Sequence, residues 1–199
     1  MYLSTYMLHE AEAARLLPRD AYALHRLVWR FFPGMGKRRF LYRLDYAPGG
    51  ARLCMVSPLP PQCPADLPQG RLRCAAIAPD LLQARDYRFC LRANPTKRSP
   101  EPPGRRLPLT GNNELLRWLR RKGEQSGFLP REDVRATPEA PLPFCKPGCS
   151  PALHHAVQYS GSLSVHDTET FRRTWERGFG SAKSFGFGLM LLTPLSPIA

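Results

Sequence analysis

The chain has 199 residues, enough for one domain or two small ones, and carries 29 Lys and Arg against 16 Asp and Glu, for a net charge of +13 and a pI near 10.0. That excess points to a polyanionic partner, because basic groups that neutralise phosphates release bound counterions. No stretch approaches the ~18 apolar residues a membrane span needs, and Met1-Tyr2-Leu3-Ser4 runs straight into strand-like sequence without a leader pattern. A cytoplasmic protein with no membrane partner is expected.

Residues 1–9 alternate as a strand does. A helix is expected over 19–32, bounded by Pro18 and Pro33, with Ala21, Leu24, Val28 and Phe31 on one apolar face. Segments 40–46 and 51–57 read as a hairpin joined by Ala47-Pro48-Gly49-Gly50. The 22 prolines cluster in three loop-like stretches, 58–68, 100–108 and 138–151, which divide the chain into packed pieces. The first of these is too broken for a good helix, and a strand at 71–78 follows it.

The second half restarts with a strand at 86–94, where Tyr87, Phe89, Leu91 and Ala93 share one face and Arg88, Arg92 and Asn94 the other. A basic helix is expected over 112–122, ending at Gly123, with Leu115, Trp118, Leu119 and Lys122 along one side. Strands follow at 128–135 and 153–165. Asp167 can cap a helix over 168–177 that stops at Gly178. Strand–helix–strand–strand–helix–strand, written twice, predicts an α+β fold of two tandem ferredoxin-like (RRM-like) domains, βαββαβ in each, over 1–85 and 86–199. Both halves are basic, so an extended polyanion lying across them is the economical picture. Such sheets are common RNA platforms, but the fold alone assigns no function.

Between the last helix and an apolar final strand lies Gly178-Phe179-Gly180-Ser181-Ala182-Lys183-Ser184-Phe185-Gly186-Phe187-Gly188. Glycines let backbone N–H groups converge on an anion, and Lys183 adds fixed charge, so a phosphate is a natural guest. The spacing is not a Walker motif, since Lys183 follows no glycine and no Ser or Thr stands where Mg²⁺ would need it. The loop also enters a strand after a helix, the reverse of the dinucleotide-binding order. A glycine-rich turn that merely packs closely is the other reading.

Chemistry is most legible on the first helix. Tyr22, His25 and Trp29 (i, i+3, i+7) form a stripe beside the apolar face, with Arg26 and Arg30 further round. Histidine exchanges protons near neutral pH, as RNA transesterification requires, and the nucleophile would be the RNA's own 2′-OH. No carboxylate cluster is evident near Asp20, which suits a ribonuclease that needs no metal. A lone helix histidine beside aromatics is otherwise a structural residue, and His9, His154, His155 and His166 read more naturally as structural. The six cysteines are expected to stay reduced. Cys145-x3-Cys149 followed by His154 and His155 suggests zinc, yet the usual knuckle uses tighter CxxC pairs, so free thiols and no metal or other cofactor are expected.

Met1-Tyr2-Leu3-Ser4, the helix Asp20-Ala21-Tyr22-Ala23-Leu24-His25 with Trp29 and Phe32-Pro33, the strand Phe89-Cys90-Leu91-Arg92-Ala93-Asn94-Pro95-Thr96-Lys97 and the glycine loop together resemble the CasE family, the CRISPR repeat-processing endoribonucleases of type I-E systems. The resemblance spans nearly the whole chain with the motifs in order. The proline-rich stretches and the cysteine pair depart from it. It implies metal-independent cleavage of precursor CRISPR RNA at the 3′ base of the repeat stem-loop, leaving a 2′,3′-cyclic phosphate and a 5′-OH. The implied partners are the crRNA stem-loop, on which the enzyme stays, and the other Cascade subunits, with no direct DNA contact. His25 is then the general acid/base and Tyr22 its assistant, while Arg30 is placed to stabilise charge on the scissile phosphate. Lys183, Ser181, Ser184 and the backbone of Gly180, Gly186 and Gly188 are the loop's candidates for RNA contact, with Arg26, Arg88, Arg92 and Lys146 as further ones. A non-catalytic RNA-hairpin scaffold of the same fold is the rival reading, and a zinc-dependent nucleic-acid module a third.

Overall fold

A computed structural model describes residues 1–16, 21–101, 106–144 and 152–195. In the first half, β1 (Tyr2–His9), β2 (Leu41–Ala47), β3 (Gly50–Ser57) and β4 (Leu72–Ala76) form a four-stranded antiparallel sheet in the order β2-β3-β1-β4. The alternation of β1 buries Ser4, Tyr6 and Leu8 and turns Leu3 and Met7 outward. Two helices connect β1 to β2: α1 (Glu10–Leu16), which the sequence pattern did not announce, and α2 (Ala21–Trp29). The apolar face expected of α2 is the buried one, Ala21, Leu24, Val28 and Phe31. The helix tightens into i→i+3 bonds at Arg30, Phe31 and Phe32 just before Pro33, earlier than the expected end at 32. Between β3 and β4, where the βαββαβ pattern calls for a second helix, the chain makes only a 3₁₀ turn at Gln69–Arg71. Pro58, Pro60, Pro61, Pro64 and Pro68 remove the N–H donors a helix there would need.

The second half repeats the strand order 4-1-3-2. Its five-stranded sheet uses β5 (Asp86–Ala93), β8 (Phe128–Pro130), β9 (Arg135–Pro138), β12 (Val157–Val165) and β13 (Met190–Pro194), running β13-β5-β12-β8 with β9 also on β12. The single strand expected over 128–135 is thus broken in two. The intervening loop seats on Gly161 of β12, whose φ is +146° and whose missing Cβ would lie 2.7 Å from the Cα of Val134. Asp133 fastens the break by accepting from both the amide and the hydroxyl of Ser162. Helices α3 (Asn112–Glu124) and α4 (Thr168–Arg177) cover one face, burying Leu115, Trp118, Leu119, Phe171 and Trp175 against Tyr87, Phe89, Leu91 and Tyr159. The loop-like stretches also hold two small hairpins. One pairs β6 (Thr96–Arg98) with β7 (Arg106–Pro108), the other β10 (Leu142–Phe144) with β11 (Ala152–His154). The expected strand over 153–165 accordingly splits, its first residues joining β11.

The two units share a core. Leu41, Cys54 and Val56 from the first sheet pack into the apolar cluster of the second, while a separate cluster around Tyr6, Leu24, Val28, Phe40, Leu53 and Met55 belongs to the first unit alone. Arg43 of β2 reaches across the join. Its side chain, only 4% exposed, pairs with Asp45 at 2.6 Å and donates to the Cys90 carbonyl at 3.3 Å and to Gln158 Oε1 at 3.2 Å. A buried guanidinium is tolerated only with partners of this kind.

The expected cap on α4 is present, with Asp167 Oδ1 accepting from the Thr170 amide at 3.0 Å. Asp167→Ala removes that acceptor, and urea unfolding should show a loss of about 1 kcal/mol.

Candidate active site and nucleic-acid interface

His25 sits on α2 between its helix neighbours and the glycine loop. The helical spacing that aligns Tyr22, His25 and Trp29 is realised in the rings: Tyr22 stacks on His25 at 6.1 Å between centroids, and Trp29 meets it edge-on at 6.2 Å. The Trp29 indole N–H donates to His25 Nε2 at 3.0 Å. An indole nitrogen can only donate, so Nε2 carries the lone pair and the neutral ring holds its proton on Nδ1. That second nitrogen is sealed from solvent and completes no well-formed hydrogen bond. Burial pulls the imidazole below its ordinary pKa; the Ser184 backbone opposes the shift and the Arg38 charge adds to it.

The glycine loop closes the other side of the ring. Phe185 lies 6.2 Å from His25 and 4.8 Å from His154, so one phenyl ring stands between two imidazoles. Ser184 is held by Tyr42 of β2, whose hydroxyl donates to its carbonyl at 2.6 Å. Gly186, at φ +83°, lets the loop pass the Tyr42 ring, which a Cβ there would meet at 3.3 Å. Gly188 has even less room, since a Cβ would fall 2.5 Å from the Phe179 carbonyl. Both glycines are thus closely packed where they stand. Ser181 is tied to the Asn94 carbonyl at 3.3 Å. The Lys183 amine donates at 2.9 Å to the carbonyls of Arg177 and Gly178, closing the C-terminal end of α4. Burial lowers its pKa, with the charges of Arg38, Arg177 and Lys122 acting the same way. An ammonium has three N–H donors, so one is left to face outward.

Lys183 and Gly180 line the floor of an open cleft of about 570 Å³. Its walls carry Lys97, Arg98 and Arg106 from the β6–β7 hairpin and Arg121 and Lys122 from α3. A second hollow of about 250 Å³ shares Asn94, Thr96, Arg106 and Ser181 with the cleft and continues to His154 and His155. Cationic side chains thus line a surface from α3 to the neighbourhood of His154, which Phe185 separates from His25.

The other sequence candidates lie elsewhere. Arg26 stands over the Tyr22 ring at 5.5 Å. Arg30 pairs with Asp66 in a groove shared with Leu8, Glu12 and Leu67. Five helical positions carry Arg30 about 140° round from His25, so α2 does not aim it at the imidazole. Arg88 and Arg92 occupy the face of β5 opposite α3 and α4; Arg92 pairs with Glu139 at 2.7 Å and covers Phe187. Lys146, Cys145 and Cys149 lie outside the described residues. Among the described residues no three His, Cys, Asp or Glu side chains converge as metal ligands, and no helix is long and apolar enough to cross a membrane.

Two groups near His25 were missed by sequence reasoning. Arg38 is the cation closest in effect to the imidazole, and Lys37-Arg38-Arg39 just after the helix was the available signal. Tyr42 had none, because a buried tyrosine in a strand reads as core.

Two ferredoxin-like units with a groove walled by cationic side chains define a class of protein whose surface suits a polyanion. A family model described as CRISPR associated protein matches residues 1–194. Over 98% of this chain and the whole of each relative, it is 30% identical to the CRISPR system Cascade subunit CasE of Escherichia coli K12 and 30% identical to the CRISPR-associated endoribonuclease Cse3 of Thermus thermophilus. Among solved structures, CRISPR endoribonuclease Cse3 bound to a 19 nt RNA superposes with a TM-score of 0.83 at 29% identity, covering 98% of this chain and 100% of that one. Cas6e of Escherichia coli K-12 does so with a TM-score of 0.75 at 28% identity and the same coverage. The chain belongs to the CRISPR-associated protein family, in its CasE (Cse3) branch.

His154 offers a test of the site's electrostatics. Burial lowers its pKa from 6.5 to about 4, with the His155 charge adding to the shift. Between those values the unfolded chain binds a proton that the native ring refuses, so stability should fall as pH drops from about 6.5 toward about 4. Thermal melting across that range should show this slope, flattened in His154→Gln.

Proposed function

We propose that this chain is an endoribonuclease that processes CRISPR RNA: it cleaves precursor repeats at the 3′ base of the stem-loop without a metal, and it stays on the product hairpin as a cytoplasmic Cascade subunit. The observation that carries the reading is His25 itself, an imidazole whose Nε2 accepts from a donor-only indole, in a chain whose second unit carries a basic groove. Support comes from the relatives, since one is a Cascade subunit and another an endoribonuclease seen with RNA.

In the proposed reaction the 2′-oxygen attacks the adjacent phosphorus as its proton leaves to a base, and the P–O5′ bond breaks as O5′ gains a proton. The products are a 2′,3′-cyclic phosphate and a 5′-OH, with no water consumed. His25 serves as the acid/base, assisted by Tyr22. The Trp29 bond must open for Nε2 to reach RNA, because an indole N–H and a protonated Nε2 are both donors. The Arg38 charge acts on the ring, whereas Arg30 is paired with Asp66. The groove lined by Lys97, Arg98, Arg106, Arg121 and Lys122 would hold the phosphates of the stem.

Cleavage of a cognate repeat RNA should persist in EDTA and stop when the nucleotide 5′ of the scissile phosphate is 2′-deoxy. His25→Ala should lose cleavage by roughly 10²-fold or more while hairpin affinity changes little. A hairpin-binding scaffold would instead bind the RNA and produce no new ends.

Lys183 separates phosphate contact from loop closure. Lys183→Ala should weaken hairpin binding and make the log–log salt dependence shallower by about one unit. It should also lower the melting temperature, because α4 loses the donor on its last carbonyls. A lower melting temperature with unchanged affinity and slope would leave the loop as a tight turn only.

A further inference from the structure

Building on the reading of this chain as a protein of CRISPR repeat RNA, we propose that the hollow beside the basic cleft is a pocket for one unpaired nucleobase. The base is held by apolar packing and by an N–H that it donates to the side-chain oxygen of Asn94.

The hollow measures about 250 Å³, below the range of roughly 300–1,000 Å³ for drug-sized ligands, so it has room for a single base and not for a base pair. Its lining includes carbon-rich side chains from three elements: Pro108 of β7, Leu153 of β11 and Ala182 of the glycine loop. Leu153 is 58% exposed, a large apolar side chain at the surface. Apolar walls with a few placed polar groups suit a flat ring with a polar edge.

The placed group is Asn94, just past β5. It is 7% exposed and lines both the hollow and the cleft. Its Nδ2 lies 3.1 Å from His154 Nδ1, and because an amide nitrogen can only donate, the ring nitrogen accepts. Burial lowers the His154 pKa to about 4, so the imidazole is neutral near pH 7 and that acceptor persists. Among the described residues nothing donates to Asn94 Oδ1, and this oxygen is not sealed from solvent. An open acceptor decides between two guests. A phosphodiester has no proton to give it and meets the oxygen's negative end, whereas every RNA base carries an N–H on its edge. Thr96 adds a hydroxyl that can donate or accept.

Arg106 lines the hollow and the cleft alike. A strand lying along the cleft can therefore set one phosphate on Arg106 while the attached base turns inward. Unpaired bases splayed from the strand are the usual targets of sequence-specific RNA recognition.

The experiment measures binding of repeat hairpin RNAs in which each unpaired nucleotide flanking the stem is made abasic in turn. The proteins are wild type, Asn94→Ala and Leu153→Ala, with 2′-deoxy at the cleavage position to keep the RNA whole. At one position, loss of the base should weaken wild-type binding about tenfold, as for one stacked base. In Leu153→Ala and in Asn94→Ala that penalty should fall to about threefold or less, because contacts to the same base are not additive. Leu153 is exposed, so its truncation keeps the test available if Asn94→Ala fails to fold. Indifference to base removal at every flanking position would overturn the proposal, and so would a penalty undiminished in Leu153→Ala. Cleavage of the all-ribose RNA, followed alongside, separates this from the underlying reading. Cleavage without base coupling removes the pocket alone. Base coupling without cleavage keeps the pocket on a hairpin-binding scaffold. A chain that neither binds nor cleaves repeat RNA loses both.

Discussion

The structure depends on the way three consecutive residues of β2 grip the second unit. Strand alternation sends Leu41 and Arg43 to one face and Tyr42 to the other, and each finds a different partner. Leu41 packs where Gly178 has no side chain, with its Cδ2 2.6 Å from where a Cβ would stand. Arg43 binds Cys90 and Gln158 on the second sheet, and Tyr42 holds the glycine loop at Ser184. One short strand therefore sets both the join between the units and the distance from helix α2 to the loop. Each of these contacts resists small displacement. The apolar one is close-packed, and a buried guanidinium drawn away from the Cys90 carbonyl and Gln158 would leave donors unsatisfied, at about 1–3 kcal/mol.

That rigidity matters because the candidate catalytic group is shared between units. His25 and Trp29 belong to α2, while Ser184 and Phe185 come from the far end of the chain. A displacement of one unit against the other would move Phe185 away from the ring while leaving the Trp29 bond, which lies within α2, intact. The electrostatics push the same way. The ring is desolvated in a strongly basic protein, with Arg38 close by, so it rests neutral and ready to accept a proton. A bound polyphosphate would oppose that shift by screening and neutralising the cations, which would bring the imidazole pKa upward when substrate is present.

The glycine loop shows how one segment meets two demands. Its glycines are required by contacts, Gly186 against Tyr42 and Gly188 against the Phe179 carbonyl. Its polar groups close the end of α4 through Lys183 and tether Asn94 through Ser181. The surface left on the other side is part of the basic groove. The cationic walls of that groove come from the β6–β7 hairpin and α3, so the loop contributes shape and position while neighbouring elements contribute most of the charge.

Much of this was legible in the sequence because it is local. The alternation of β1 and β5, the apolar face of α2, the Asp167 cap and the stripe of Tyr22, His25 and Trp29 each rest on residues a few positions apart. Periodicity reports such neighbours directly. The net charge announced a polyanion, though not where its groove would lie. Other features needed the tertiary structure. Proline removed the helix between β3 and β4, but only the folded chain shows what fills its place. Arg30 carries the same charge as Arg38, yet the first pairs with Asp66 while it is the charge of the second, beyond Pro33, that lowers the imidazole pKa. Tyr42 and Ser184 lie 142 residues apart, and their bond exists only because two sheets meet. Local sequence determines which groups a segment offers and on which face. Which of them meet across the molecule is decided by packing, since contacts between distant segments leave no period in the chain.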